Sequence, residues 1–206
     1  MLLAIDTSAG TSVAVVDYDG GVLAEASDAG TRGHAERIGR LISDALAESG
    51  VAPAELSAVA AGMGPGPFTG LRVGIVAARA FALAAGKPVV NLVSHDAIAF
   101  GVYRDGRSGP LLVVTDARRR ELYWSFYEGT DDAGLPVRAD GPGLAKPDAL
   151  PHADAARLDA ASVSAAALGL LAEHTWKNKR PFASGEALYL RSPDVTPSAS
   201  PKRVTG

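Results

Sequence analysis

The chain of 206 residues contains no cysteine, so disulfide bonds and thiolate metal sites are excluded. Aromatic residues are scarce at 6%, and four of them fall between Tyr123 and Tyr127. The formal net charge of −3 gives no bulk attraction to nucleic acid. Contact with RNA would therefore need a local basic patch or a basic partner.

A long hydrophobic run is also missing. The longest apolar-rich segment, residues 73–85, is too short to span a bilayer and carries Arg79. The N-terminus shows no charged segment followed by a long apolar one, so we expect no signal peptide, no membrane partner and a cytoplasmic location. Hydrophobic residues at 47% and charged residues at 21% indicate a soluble globular protein with a sizeable core.

Hydrophobic periodicity and turn residues predict a chain in which strands alternate with helices. The first three strands are joined by short turns, which is typical of an antiparallel meander. Ser94 is the expected N-cap of the third helix. The predicted helices are 35–48, 68–85, 94–103 and 162–174. The predicted strands are 1–5, 11–16, 22–26, 56–62, 89–93, 111–114 and 121–127, with a short one at Val137 and an extended piece at 188–191.

A glycine-rich stretch at residues 62–74, G-M-G-P-G-P-F-T-G-L-R-V-G, connects a strand pattern to the longest helix pattern. Gly64 and Gly66 permit backbone angles closed to other residues. Thr69 falls in the first helical turn, where free N–H groups favour an anion. The Gly-Lys-Ser/Thr ending of a P-loop is absent. The chemistry indicates a phosphate or carboxylate site, and the alternative is a tight turn that binds nothing.

A polar loop, Asp6-Thr7-Ser8, follows the first predicted strand. An aspartate at such a strand end can hold a hydrated magnesium ion, while hydroxyl and N–H groups hold phosphate. The alternative is an Asx-type turn. The candidate nucleotide or phosphate loop therefore consists of Asp6, Thr7, Ser8, Gly64, Gly66 and Thr69.

No residue shows itself as a nucleophile or a general base. The histidines His34, His95, His152 and His174 are scattered, and none forms an i, i+4 pair that would bind zinc. Three consecutive arginines at 118–120 could bind phosphate, although a solvated turn is the commoner role of such a run. We therefore predict no catalytic residue and no metal site.

The predicted helices carry more apolar surface than one sheet can cover. Residues 68–85 are apolar almost all round, with Arg72 and Arg79 as the charged exceptions. In the preceding helix, Gly39, Ser43 and Ala47 form a row of small residues that would let another helix approach closely. We therefore expect a second packing partner, which is a helix of this chain, a second copy or a different protein.

Four motifs occur in an order that resembles a known family. They are I-D-T-S at 5–8, G-P-G-P-F-T-G-L-R-V-G at 64–74, D-A-R-R-R-E-L-Y at 116–123 and Y-L-R at 189–191. Together they resemble the TsaB (YeaZ) family, over residues 1–128 and again near Tyr189. The resemblance implies an α/β fold of the actin/sugar-kinase/Hsp70 type, with two RNase H-like lobes of mixed sheets flanked by helices. The implied lobes are residues 1–104 and a reduced lobe at 105–192, before a disordered tail at 193–206.

The resemblance also implies a function. TsaB proteins are the non-catalytic partners of TsaD in the N6-threonylcarbamoylation of adenosine 37 in tRNAs that read ANN codons, and TsaE joins the pair. This chain is accordingly expected to pair with TsaD, to form a homodimer when alone, and to meet tRNA indirectly through the complex. The implied interface lies on the first two helices, at Ile38, Gly39, Leu41, Ile42, Ala45, Gly70, Val73, Gly74 and Ala77.

TsaD carries its metal on a His-x-x-x-His helix, and this chain departs from that pattern. His95 stands at the first position, but Ala99 occupies the second, so the resemblance implies a chain that is not an enzyme. Members of the family usually carry a further Gly-x-Gly loop before the last helix, and no such loop can be placed in this sequence. The segment at residues 142–162 is shorter than the family's, and Ala187 occupies a position where proline is common. No cofactor is therefore assigned to this chain alone, and ATP or ADP at the partner interface is the candidate. The alternative function is an ATP-dependent phosphotransferase of the sugar-kinase fold.

Overall fold

A computed structural model describes residues 1–30 and 33–191, and the predicted tail at 193–206 lies outside them. The helices are α1 (His34–Ser49), α2 (Phe68–Ala85), α3 (Ser94–Arg104) and α4 (Ala165–Lys177). The strands are β1 (Leu2–Asp6), β2 (Thr11–Asp17), β3 (Gly21–Asp28), β4 (Ala58–Gly62), β5 (Val89–Leu92), β6 (Leu111–Asp116), β7 (Leu122–Thr130), β8 (Pro136–Ala145) and β9 (Ala156–Asp159).

The first sheet has the strand order β3-β2-β1-β4-β5. β2 runs antiparallel to β1 and β3, which confirms the predicted meander, while β1, β4 and β5 are parallel. Helices cover both faces of this sheet, so every residue of β1 and β4 is buried. The polar loop after β1 and the glycine-rich turn after β4 therefore meet at the same edge of the sheet.

The second sheet, β8-β7-β6-β9, repeats the order and directions of the first four strands of the first sheet. A short 3₁₀ turn at Pro147–Ala149 stands where the first sheet has α1. β8 is ten residues long, so the short strand predicted at Val137 was too short. β9, which the periodicity did not predict, is a four-residue edge strand. The expected α/β fold with two mixed sheets flanked by helices is confirmed.

Four layers follow from the way the helices pack. α1 and α2 cover the outer face of the first sheet, and α3 and α4 lie between the two sheets. α4 comes from the second half of the chain but packs on β1 and β2, whereas α3 comes from the first half and packs on β7 and β8. The two halves therefore interlock, and the division at residues 104 and 105 stays a prediction.

The last described segment, residues 181–191, crosses the edge of the first sheet, and we call it the C-terminal strap. Ala183 donates its N–H to the carbonyl of Asn91 at 3.0 Å, and Leu188 donates to Met63 at 2.8 Å. Arg79 of α2 donates to the carbonyl of Gly185 at 2.6 Å. The strap thus lies beside the exposed side of α2.

Candidate functional site

Asp6 is buried at the end of β1, and both of its carboxylate oxygens accept hydrogen bonds from this chain. Ser8 donates to Oδ1 from its backbone N–H at 2.7 Å and from its hydroxyl at 2.5 Å. The hydroxyl of Ser94 donates to Oδ2 at 2.5 Å and accepts the N–H of Gly64 at 3.0 Å. Ser94 was predicted as the N-cap of α3, which is wrong, because Val93 holds that position and the serine hydroxyl turns to Asp6.

The electrostatics of Asp6 are those of a buried structural carboxyl. Burial raises its pKa above the usual value, and the hydrogen bonds from Ser8 and Ser94 oppose that rise. A magnesium ion at this place would have to compete with those three donors for the carboxylate oxygens. The arrangement instead ties the end of β1 to the turn after β4 and to the start of α3.

Thr7 joins the same loop to α2. Its hydroxyl donates to the carbonyl of Gly70 at 2.7 Å and accepts the N–H of Gly74 at 3.0 Å. In a regular helix the N–H of residue 74 would bond to the carbonyl of residue 70. The threonine hydroxyl bonds to both groups and is thus inserted into the hydrogen-bond ladder of α2. A Cβ on Gly74 would stand 2.2 Å from the Thr7 hydroxyl, which explains the glycine.

The glycine-rich turn closes directly over the polar loop. A Cβ on Gly66 would stand 2.8 Å from the Cα of Ser8, and a Cβ on Gly62 would overlap the carboxylate of Asp6. Gly64 has φ +95°, in the region that only glycine adopts without strain. The structure thus brings Asp6, Thr7, Ser8, Gly64 and Gly66 together as a packed joint. Thr69, the sixth residue of the candidate loop, is exposed on α2.

A cavity of about 240 Å³ opens beside this joint, between the two sheets. Asp116 and Arg118 form an ion pair of 3.2 Å at its rim. The cavity is smaller than most pockets for drug-sized ligands, which measure about 300–1,000 Å³. A nucleotide at this place stays a prediction. The lining is Ser8, Ala9, Gly10, His34, Pro67, Asp116, Arg118, Ala160 and Ala161.

His95 serves as a polar link inside the core. Its Nδ1 lies 2.9 Å from the hydroxyl of Ser125, and its Nε2 lies 2.9 Å from the hydroxyl of Thr115. Burial, with a smaller contribution from the charge of Arg138, lowers the pKa of this histidine to about 3. Both ring nitrogens are thus engaged. Across residues 1–30 and 33–191 no group of three His, Asp or Glu side chains is arranged to hold a metal ion.

α2 presents a mixed apolar and basic face to solvent. Thr69, Arg72, Val76, Arg79 and Leu83 recur along it at three- and four-residue spacing, and we call this row the α2 stripe. Val76 is 62% exposed and Leu83 84% exposed. In the described part of the chain α2 is the one helix long and apolar enough to cross a membrane, a criterion that core helices of soluble proteins also meet. The inner face of α2 packs on the first sheet, so the stripe is left exposed to solvent.

The C-terminal strap widens this surface. Tyr189 packs on Phe68 with ring centroids 4.8 Å apart, and the guanidinium of Arg72 lies 3.9 Å from the centre of the Phe68 ring. A groove of about 450 Å³ runs between the strap and the α2 stripe, and its described lining contains two arginines and no carboxylate. The lining residues are Arg72, Ile75, Val76, Arg79, Gly185, Ala187 and Tyr189.

The predicted interface residues fall into two groups in the structure. Ile38, Leu41, Ala45, Gly70 and Gly74 are buried inside this chain, on the faces of α1 and α2 that meet the first sheet. Contact of these five with a partner stays a prediction, and within the single chain they are part of the core. The half-buried or exposed members, which remain available to a partner, are Gly39, Ile42, Val73 and Ala77.

Comparison with known proteins gives consistent matches. The family model described as TsaD, tRNA N6-adenosine threonylcarbamoyltransferase, matches residues 8–143. An uncharacterized protein of Mycobacterium tuberculosis is 42% identical over 208 residues, covering 96% of this chain and 95% of that protein. The tRNA threonylcarbamoyladenosine biosynthesis protein TsaB of Escherichia coli is 35% identical over 134 residues, covering 65% of this chain and 57% of that protein.

Two solved structures from Pseudomonas aeruginosa share the fold. One, described as similar to peptidase YEAZ, has a TM-score of 0.77 at 28% identity and covers 92% of this chain and 99% of its own. The other, YeaZ, has a TM-score of 0.72 at 29% identity, and the match covers 86% of this chain and 92% of that structure's chain. The fold defines the class as a two-sheet α/β protein in which helices cover the sheets. The chain belongs to the TsaB (YeaZ) family.

Proposed function

We propose that this chain is a non-catalytic subunit in the synthesis of tRNA threonylcarbamoyladenosine, and that it pairs with a TsaD-type transferase through the α2 stripe. The exposure of the two large apolar side chains in the stripe, Val76 and Leu83, is the observation that carries the proposal. A helix with isolated apolar side chains at the surface needs no partner, but Val76 and Leu83 lie in one row beside a groove. The curated relative TsaB is named for the same modification.

The chemistry of the stripe defines the partner. Arg72 and Arg79 flank Val76, so the surface fits a helix with apolar side chains and at least one carboxylate. α1 exposes such carboxylates at Glu36 and Glu48. A helix of a second copy of this chain therefore also fits the stripe. The chain therefore forms a homodimer when alone and exchanges it for a heterodimer with the transferase. TsaE joins that heterodimer, with ATP or ADP bound at the interface.

The catalytic step belongs to the partner in this proposal. Both oxygens of Asp6 are used inside the chain, and both nitrogens of His95 are used in the core. The same contacts argue against an ATP-dependent phosphotransferase that would use Asp6 to hold magnesium. ATP hydrolysis by the isolated chain, abolished in Asp6→Asn while the fold persists, would restore that second candidate.

The proposal is tested with the single variants Val76→Arg and Leu83→Arg. Each places a long cation where an apolar contact is expected, and a central contact is worth about 2 kcal/mol or roughly 30-fold in affinity. Binding to the transferase is measured by biolayer interferometry, and circular dichroism verifies the fold. Val22→Arg is the matched control, because Val22 is also exposed, at 49%, but lies on β3. Unchanged affinity in both α2 variants would refute this interface.

A further inference from the structure

The C-terminal strap is fastened to the rest of the chain by few contacts. Its middle donates two backbone N–H groups, from Ala183 to the edge of the first sheet and from Leu188 to the turn after β4. Its end is fastened to the turn between β6 and β7, where Arg191 pairs with Glu121 at 3.2 Å. Every residue of the strap is exposed or half-buried. Opening of the strap would therefore break few hydrogen bonds and expose little apolar surface.

The closed strap lies over a polar group that has no partner. Asn91 belongs to β5, the edge strand of the first sheet, and its Nδ2 would stand 3.8 Å from a Cβ added to Gly185 of the strap. Its Oδ1 is buried, and within residues 1–30 and 33–191 no hydrogen-bond donor reaches it. A buried acceptor without a donor opposes the closed state, because water would satisfy that acceptor when the strap lifts. These contacts indicate a strap that is closed by a small margin, which a bound partner can increase.

The strap builds one wall of the groove that borders the α2 stripe. Gly185, Ala187 and Tyr189 line the groove from the strap, and the other four lining residues belong to α2. Tyr189 packs on Phe68 with ring centroids 4.8 Å apart, which fixes its ring, yet 39% of the residue stays exposed. A fixed and partly exposed tyrosine is typical of the anchor residues of protein interfaces. Without the strap, the groove of about 450 Å³ would be an open helix face.

We propose that the C-terminal strap is the movable wall of the partner surface, and that a helix of the transferase lies between the strap and the α2 stripe. The inference rests on the proposed function, since the occupant is the partner named there. That helix carries apolar side chains and a carboxylate, because the described lining of the groove has two arginines, Arg72 and Arg79, and no acidic residue. Arg79 also donates to the carbonyl of Gly185 at 2.6 Å, so one side chain of α2 touches both walls. Partner binding and strap closure are therefore linked: the partner stabilises the closed strap, and an open strap weakens binding.

Hydrogen–deuterium exchange tests this link, read by mass spectrometry on a peptide that covers the strap. Exchange of the strap in the wild-type chain should slow by about 10-fold when the transferase is bound. In the free chain, Arg191→Gln removes the pair with Glu121 and should speed exchange of the strap by about 3-fold. Arg157→Gln is the matched control, because it removes an arginine from another exposed ion pair, with Asp159 on β9, and should leave strap exchange unchanged. Strap exchange that is the same in Arg191→Gln and in the control would overturn the fastening by Arg191.

Affinity tests the contact of the partner with the strap separately. Tyr189→Ala removes the exposed ring from the strap wall and should weaken binding to the transferase by about 10-fold in biolayer interferometry. Tyr189→Phe is the matched control, because it keeps the ring, and its affinity should stay within about 3-fold of the wild type. Circular dichroism verifies that both variants fold.

The outcomes separate the strap from the proposed function. A wild-type chain that binds the transferase while its strap exchanges as fast as in the free chain would overturn the role of the strap alone, and so would full affinity of Tyr189→Ala. Exchange that slows by the same factor throughout the chain would also overturn it, because the partner would then stabilise the whole fold without touching the strap. A wild-type chain that does not bind the transferase at all would refute the proposed function, and the role of the strap with it.

Discussion

Thr7→Val is the sharpest test of the closed joint, because it removes one hydroxyl and keeps the shape of the side chain. The hydroxyl bonds to Gly70 at 2.7 Å and to Gly74 at 3.0 Å, and all three residues are buried. Each buried backbone group left without its partner costs about 1–3 kcal/mol. Part of this cost returns if α2 closes its own 70–74 hydrogen bond. We therefore expect a loss of about 2–4 kcal/mol in the free energy of unfolding.

Urea unfolding followed by tryptophan fluorescence measures this loss, and thermal unfolding should show a decrease of roughly 4–16 °C for a chain of this size. Thr69→Val is the matched control, since it makes the same change at an exposed position of α2. The control should stay within about 0.5 kcal/mol of the wild type. If Thr7→Val proved equally mild, the hydroxyl would not be part of a packed joint, and the loop would be open to a ligand.

Two further changes test the core and α1. His95 is neutral in the fold with a pKa of about 3, so stability should fall as the pH drops below the unfolded value of 6.5, by roughly 2 kcal/mol at about pH 5. Urea titrations should show a smaller loss of stability in acid for His95→Gln than for the wild type or for His152→Gln, a control at a half-buried histidine outside the core. Equal losses would contradict a pKa of about 3 for His95. Gly39→Ala should stabilise α1 by about 0.5–1 kcal/mol, since no atom lies within 4 Å of the added Cβ. If Gly39 faces the partner, the same change weakens pairing, and unaltered pairing would place the contact elsewhere on α1.

The sequence predicted the bounds of α2 because both ends carry clear signals. Pro67 and its neighbours prevent an earlier start, and Gly86, with φ +65°, terminates the helix in a left-handed conformation. β9 escaped prediction because it has only four residues, at the edge of its sheet. β8 was predicted too short because Gly141 and Pro142 interrupt its pattern, and its pairing with β7 is irregular there.

The chemistry of the joint was predictable in part. The polar loop after β1 and the glycine-rich turn after β4 were both predicted from the residue types at strand ends. That the two lie together follows from the parallel pairing of β1 with β4. The structural role of Asp6 could not be predicted, because Ser94, which donates a hydrogen bond to its carboxylate, lies 88 residues away in the chain. Helical spacing likewise showed that α1 and α2 have apolar rows, but not that Leu41 faces the sheet while Leu83 faces solvent.

The central claim is that this chain acts by pairing through the α2 stripe. Multi-angle light scattering tests it most directly, by measuring the mass of the purified chain alone and after addition of the transferase. We predict a dimer of the chain alone, an equimolar heterodimer after mixing, and neither assembly for Leu83→Arg. A chain that stays monomeric throughout, or a Leu83→Arg variant that assembles like the wild type, would contradict the account.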